Sequence, residues 1–164
     1  MAKTMFVLIR ALTYASLFVA LLLVFVPVRV LAWAGIARPG TGVTQVLGLI
    51  IMLAGAALAA WCVVTFAVVG RGTPAPFDAP RRLVVSGPYG RVRNPMYLGA
   101  VVALTGAALF FESAALFGYT VLFFLVAHVF VLGYEEPILT RLFGPEYDAY
   151  RARVRRWLPR LARR

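Results

Sequence analysis

Two short stretches of this 164-residue chain carry groups that could do chemistry. One is "RVRNPMYLG", Arg91 to Gly99, and the other is the adjacent pair Glu135-Glu136, preceded by His128. Asn94-Pro95 is a helix-start signal. Asn suits the N-cap, where its side chain accepts a backbone N–H, and Pro suits the first helical position. A helix beginning there presents free N–H groups with partial positive charge, which can hold a carboxylate or phosphate. Arg91 and Arg93 add to the same field, Tyr97 offers a flat face and a hydroxyl, and Gly99 would admit a ligand close to the backbone. The structural alternative is a capped helix beside arginines that set membrane topology.

Carboxylates at a membrane boundary are costly, so Glu135 and Glu136 are candidates for a function. Neighbours on a helix point about 100° apart, so the two should face different partners. No arginine stands three or four positions from either glutamate, so a local ion pair is ruled out. The partner must be distant in sequence or a ligand, and Arg91 and Arg93 are the natural protein candidates. If they pair, the glutamates are structural. His128 precedes Glu135 by seven positions, which puts both on one face of a regular helix. A histidine there is more often a packed polar residue than a base.

The elements that must position these groups are membrane helices. The chain is 62% hydrophobic and 14% charged, with mean hydropathy +0.86. A soluble domain carries about 25% charged residues, so an integral membrane protein is expected. The net charge of +11 does not point to nucleic acid, because the cations flank greasy runs instead of forming a basic, aromatic-interleaved module. Cys62 is the sole cysteine and His128 the sole histidine. A disulfide or a Cys/His metal cluster cannot be built within the chain, and no metal is expected.

Four spans are expected in one all-α membrane domain over residues 1–164: about 8–32, 43–70, 95–111 and 113–135. "AWA" at Ala32 to Ala34 imitates a signal cleavage site, but the greasy run exceeds a signal core, so a retained first helix is expected. The second run has no charge from Val43 to Gly70, and its Gly48, Gly55 and Ala59 form a small-residue stripe suited to close helix packing, within the chain or in a dimer. Residues 71–94 form a polar connector broken by arginine and proline. The third span is short, and only Glu112-Ser113 separates it from the fourth. A charged tail, 136–164, follows with an amphipathic C-terminal helix. Fifteen of the seventeen Lys and Arg fall on the side of the N-terminus, connector and tail. Both termini are therefore expected in the cytoplasm, with connector and tail meeting there.

"SGPYGRVRNPMYLG" followed by "YEEPILTRLFGPEYDAYRARVRRWLP" resembles the isoprenylcysteine carboxyl methyltransferase and phospholipid methyltransferase superfamily of integral membrane enzymes. The resemblance covers Ser86 to Pro159. Gly87, Pro88, Tyr89, Arg93, Pro95, Tyr97, Gly99, Glu135, Glu136, Leu139, Phe143, Gly144, Tyr147 and Tyr150 fall on the family pattern. It implies S-adenosylmethionine as cofactor, held by Tyr89, Arg93, Asn94, Pro95, Tyr97, Leu98, Gly99, Glu135 and Glu136, with His128 lining the pocket. Arg93 and Glu135 are the implied catalytic residues. Three positions depart from the pattern. Asn94 replaces a histidine of the prenylcysteine enzymes, Gly90 replaces a residue often basic or aromatic, and Arg155 stands where the tail often has proline. A Rossmann glycine fingerprint is absent, as a membrane-type pocket would imply.

The expected activity is methyl transfer to a lipophilic small molecule or lipid at the cytoplasmic face. A chain rich in Ala, Arg, Gly and Val and poor in Lys points to a GC-rich bacterium, hence an inner membrane. The rival readings are a phospholipid N-methyltransferase, a non-catalytic membrane scaffold that keeps the motif as an ion-pair lock, and a sterol-type reductase. The last is disfavoured by chain length.

Overall fold

The computed structural model describes residues 13, 16–36, 39–70 and 82–160. The expected start of the first span near residue 8, connector residues 71–81 and tail residues 161–164 lie outside them. Among the described residues there are helices and no strand. Three helices are long and apolar enough to cross a membrane: α1 (Ser16–Trp33), α2 (Val43–Gly70) and α4 (Ala114–Phe143). A shorter apolar helix, α3 (Pro95–Phe110), and a polar one, α5 (Pro145–Arg153), complete the set.

Apolar side chains cover the outside of this bundle. Leu17, Phe25, Ile50, Leu53, Trp61, Val68, Val126 and Val129 are all exposed. Such a surface is untenable in water and natural in lipid. With α1 near the lower length limit and α2 well above it, the chain is an integral membrane protein whose helices span about 30 Å of hydrocarbon with different slack.

The tightest joint is between α2 and α3, where glycines from both helices replace side chains with backbone. A Cβ on Gly48 would stand 2.6 Å from Phe110 N, and one on Gly99 would stand 2.9 Å from Ala59 N and Gly55 O. Gly55 and Gly106 are as crowded, against Ala103 and Met52. The stripe expected on α2 is therefore used inside the chain. Gly99 also departs from expectation: the space left by its missing side chain is filled by α2, so it serves helix contact instead of ligand approach.

A three-residue link joins α3 to α4. Glu112 takes a positive φ of 49° there, and Ser113 caps α4 by accepting from Leu116 N at 3.1 Å. Gln45 Nε2 at the start of α2 donates to Glu112 Oε1 at 3.1 Å, tying this end together. α1 packs along α3 and α4. Its Leu31 meets Ala108 and Leu116, and its Phe18, Leu22 and Leu23 meet Ala100, Leu104, Phe123 and Tyr97.

Each long helix contains a π turn: Val19–Phe25 in α1, Phe66–Gly70 in α2 and Val131–Glu135 in α4. The sequence reading ends the fourth helix near residue 135, but the helical backbone runs on to Phe143. The π turn explains how. It widens the ladder just before Pro137, whose ring would otherwise clash with the carbonyl four positions back. Gly144, at φ 48° and ψ −124°, then breaks the chain direction, and Pro145 opens α5.

Candidate active site

The connector enters the site through a short 3₁₀ turn, Gly87–Gly90, which buries Pro88 and Tyr89. Tyr89 packs on Cys62 and Val84, and its ring stands edge-on to Phe66 of the α2 π turn at 5.3 Å. Tyr150 of α5 donates its hydroxyl to the Tyr89 carbonyl at 2.7 Å. Burial pushes the Tyr147 phenol up to about 12 and holds the Tyr89 phenol well above its ordinary value, so these rings stay neutral. Tyr147 and Tyr150 are both nearly inaccessible to solvent, which anchors α5 against the connector.

From this anchor the tail lies alongside residues 92–94. Val92 and Arg155 form a parallel bridge, Arg93 N donates to Arg155 O at 2.9 Å, and Asn94 N donates to Arg156 O at 3.3 Å. Arg155 thus acts through its carbonyl, which a proline would also offer, so that departure from the family pattern leaves the contact intact. Asn94 occupies the N-cap position of α3, with Pro95 at the first helical position as expected, but it makes no side-chain cap. Its Nδ2 instead donates to Arg156 O at 3.4 Å. The capping expectation is corrected by this contact: the tail draws the amide away and leaves the helix start without a side-chain acceptor.

The two glutamates have different partners. Glu136 accepts from Arg93 Nη2 at 2.9 Å, from Arg156 Nε at 2.7 Å and from Arg156 Nη2 at 3.0 Å. The hydrogen bonds that Arg156 donates to Glu136 hold its guanidinium above its ordinary value, so it stays charged. Of the two arginines named from sequence, Arg93 makes the contact, and Arg91 remains exposed. Among the described residues Glu135 accepts only from Tyr97, whose hydroxyl reaches Oε2 at 3.2 Å. Arg93 is 10% exposed at its side chain, and its Nε is buried without a partner. Such orphan donors are rare in folded proteins and mark a place for a missing acceptor.

His128 lies apart from this group. Trp157 donates its indole N–H to His128 Nδ1 at 2.9 Å, and Phe124 stacks on the imidazole with ring centroids 6.2 Å apart. The expected shared face with Glu135 is lost, because the π turn between them breaks the regular helical register on which that placement depends. Pro95, Leu98 and Gly99 form the first turn of α3 beside Tyr97. The sequence reading missed Arg156 and Trp157, two more cationic or aromatic residues in an arginine-rich tail. The Tyr147–Tyr150 spacing was the available signal, since a buried tyrosine face implies that the tail docks.

All three π turns touch this region: Leu22 and Leu23 pack in the cluster that includes Tyr97, Phe66 meets Tyr89, and Glu135 closes the third. Among the described residues no group of three or more His, Cys, Asp or Glu could hold a metal ion.

The described residues thus form an all-helical membrane bundle with paired arginine and glutamate motifs at one end. Residues 43–146 match the phospholipid methyltransferase family model, and the chain belongs to that family, part of the isoprenylcysteine carboxyl methyltransferase-like superfamily. It is similar to the nickel-cobalt-cadmium resistance protein NccN of Alcaligenes xylosoxydans xylosoxydans, 35% identical over 60% of this chain and 47% of that protein. The cobalt-zinc-cadmium resistance protein CzcN of Cupriavidus metallidurans is 32% identical over the same shares. An uncharacterised protein of Haemophilus influenzae is 35% identical over 38% of this chain and its own full length. The chain spans about half the length of the two resistance proteins. No solved structure matches.

Proposed function

We propose that this chain transfers a methyl group from S-adenosylmethionine to a lipophilic acceptor, at the cytoplasmic face of a bacterial inner membrane. The observation that carries the reading is the unpartnered, buried Arg93 Nε beside the uncapped start of α3. An unmet buried donor costs about 1–3 kcal/mol, and the helix start adds partial positive charge. A carboxylate satisfies both. Glu135, engaged by Tyr97 alone, suits an ammonium or ribose hydroxyls. The amino-acid end of the cofactor offers both kinds of group, so the residues present fit it.

Bound S-adenosylmethionine supplies a methyl carbon made electrophilic by its sulfonium. The residues of the chain bind, orient and exclude water. Arg93 and the first turn of α3, Asn94 to Leu98, hold the carboxylate, while Glu135 orients the cationic end. Glu136 is a positioning residue that fixes Arg93, and Arg156 fastens the tail over the same carboxylate. Tyr89 supports the floor, and Gly99 brings α2 close behind it. A methyl displacement needs positioning and dryness more than acid–base groups, which suits a site roofed by the tail and walled by α1.

A phospholipid amine acceptor is favoured by the family's own description. A scaffold reading is favoured by the Glu136 lock, which needs no ligand. Calorimetry with S-adenosylmethionine on the detergent-purified protein separates the scaffold from both enzyme readings. Micromolar binding, lost in Glu135→Gln and Arg93→Ala, is expected. A folded wild type that binds nothing in detergent and again in nanodiscs would falsify the methyltransferase reading.

A further inference from the structure

The connector and the tail together carry more positive charge than the chain neutralises. Among their described residues, 82–94 and 145–160, six arginines are exposed: Arg82, Arg91, Arg151, Arg153, Arg155 and Arg160. Only two acids, Glu146 and Asp148, are exposed with them, and Asp148 already pairs with Arg151 at 3.1 Å. Glu136 is taken up by Arg93 and Arg156, and Glu112 lies at the other end of the bundle. Docking makes the crowding worse. The Val92–Arg155 bridge sets a cationic residue of the tail beside the residue that follows Arg91. Among the described residues no salt bridge joins Arg91 or Arg155 to a carboxylate. Like charges brought together repel, so the contacts that hold the tail work against its own charge.

We propose that this face binds the phosphate groups of anionic phospholipids in the bilayer that the chain spans, and that these lipids hold the tail docked. Its position suits that partner. Arg91 stands four residues before Pro95, the start of α3, and the exposed Arg141 belongs to α4 itself. Leu142 and Leu158 are 54% and 70% exposed, the first next to Arg141 and the second close to Arg160. Leucines interspersed with arginines fit a zone where acyl chains adjoin phosphates, and a guanidinium meets two phosphate oxygens at once. The docked tail gathers cations that a free tail spreads apart, so phosphate favours the docked form by linkage. Each arginine close to an anionic surface strengthens the attraction about fivefold. The lipid is a partner of the tail and no group is transferred to it, so this inference stands apart from the methyl-transfer reading.

The test places the full chain in nanodiscs of phosphatidylcholine, or of phosphatidylcholine mixed with phosphatidylglycerol, with no cofactor added. Phosphatidylglycerol offers a phosphate without an amine or a carboxylate, so its effect on the tail is separate from turnover. Chymotrypsin cuts after aromatic residues and spares arginine. Tyr147 and Tyr150 are buried in the docked tail, so the rate of cutting there reads docking. Cutting about fivefold slower in the mixed discs is expected, with the difference lost at high salt. Equal rates in the two discs, or a difference that salt leaves intact, would overturn the proposal, and neither result needs a variant.

Variants locate the effect. Arg91→Gln combined with Arg155→Gln and Arg160→Gln keeps the Arg155 carbonyl that pairs with Arg93 N. This triple variant should be cut at one rate in both discs. Arg29→Gln, on α1 toward the opposite end, should keep the wild-type difference. The same loss in Arg29→Gln as in the triple variant would show a general charge effect and overturn the assignment to this face. Inorganic phosphate and polyglutamate, each added to phosphatidylcholine discs, complete the comparison. Protection by either equal to that given by phosphatidylglycerol would assign the face to a soluble anion or an acidic protein, against the lipid.

Discussion

Adjacent carboxylates on one helix have been given different work. Glu136 accepts three hydrogen bonds from two guanidiniums, and Arg93 and Glu136 are both nearly enclosed. Removing one charge from such a buried cluster leaves the others uncompensated, at a cost of roughly 3 kcal/mol. Glu136→Gln should therefore lower the thermal midpoint in detergent by several degrees. Glu135→Gln removes a charge that only a tyrosine hydroxyl engages, so its midpoint should stay near that of the wild type. Cofactor binding should nonetheless vanish in Glu135→Gln. A midpoint drop in Glu135→Gln as large as in Glu136→Gln would contradict this division of roles, and differential scanning fluorimetry beside calorimetry reads both.

Among elements, the α2–α3 joint and the docked tail bear different burdens. Gly106 faces α2 backbone so closely that any Cβ displaces a helix, whereas Gly118 has nothing within 4 Å. Gly106→Leu should cost well over the roughly 1–3 kcal/mol usual for overpacking, because backbone and not a movable side chain is in the way. Little folded protein should survive size-exclusion chromatography. Gly118→Ala should be neutral or stabilising by up to about 1 kcal/mol. The tail is held more lightly, by the Tyr150 hydroxyl, the Val92–Arg155 bridge and the Arg156–Glu136 pair. Tyr150→Phe leaves the buried Tyr89 carbonyl without its donor, costing about 1–3 kcal/mol of docking. Trypsin should then cut the arginine-rich tail of Tyr150→Phe severalfold faster, while α1 to α4 stay intact. Equal cutting rates would mean that the hydroxyl does not hold the tail.

The whole molecule reverses the pattern of a soluble protein: apolar side chains face out, while ionised groups meet inside one end of the bundle. Connector residues 92–94 and tail residues 155–156 meet at one end of the bundle, and in the proposed topology, with α3 as a fourth span, the balance of basic residues points that end to the cytoplasm. Single cysteines introduced at Leu158 and at Gly40, in a Cys62→Ala background, should label from opposite sides in oriented membranes. Labelling of both from the same side would overturn the four-span topology.

How much of this could be read from residues alone varied with the physics. Composition and run length dictated membrane helices, because burying so much apolar surface in lipid outweighs any local preference. Pro95 marked the start of α3, since proline has no N–H to give to the preceding turn. The glycines of α2 announced close packing, because a missing side chain leaves only backbone to touch. The paired motifs around Arg93 and Glu135-Glu136 were local in sequence and specific in type, so the family was legible.

The tertiary structure alone decided which of seventeen cations met which carboxylate, and which way each polar side chain turned. Arg91 and Arg93 look alike in the chain, but only one of them faces Glu136 once residues 92–94 lie beside the tail. Asn94 had the right type for a cap and was claimed by a carbonyl 62 positions away. His128 and Glu135 had the spacing of one helical face, and a single π turn between them removed it. Hydrophobic burial, which adds up along a segment, is written in the sequence; the direction of a hydrogen bond depends on angular register and distant neighbours, and only the folded chain supplies those.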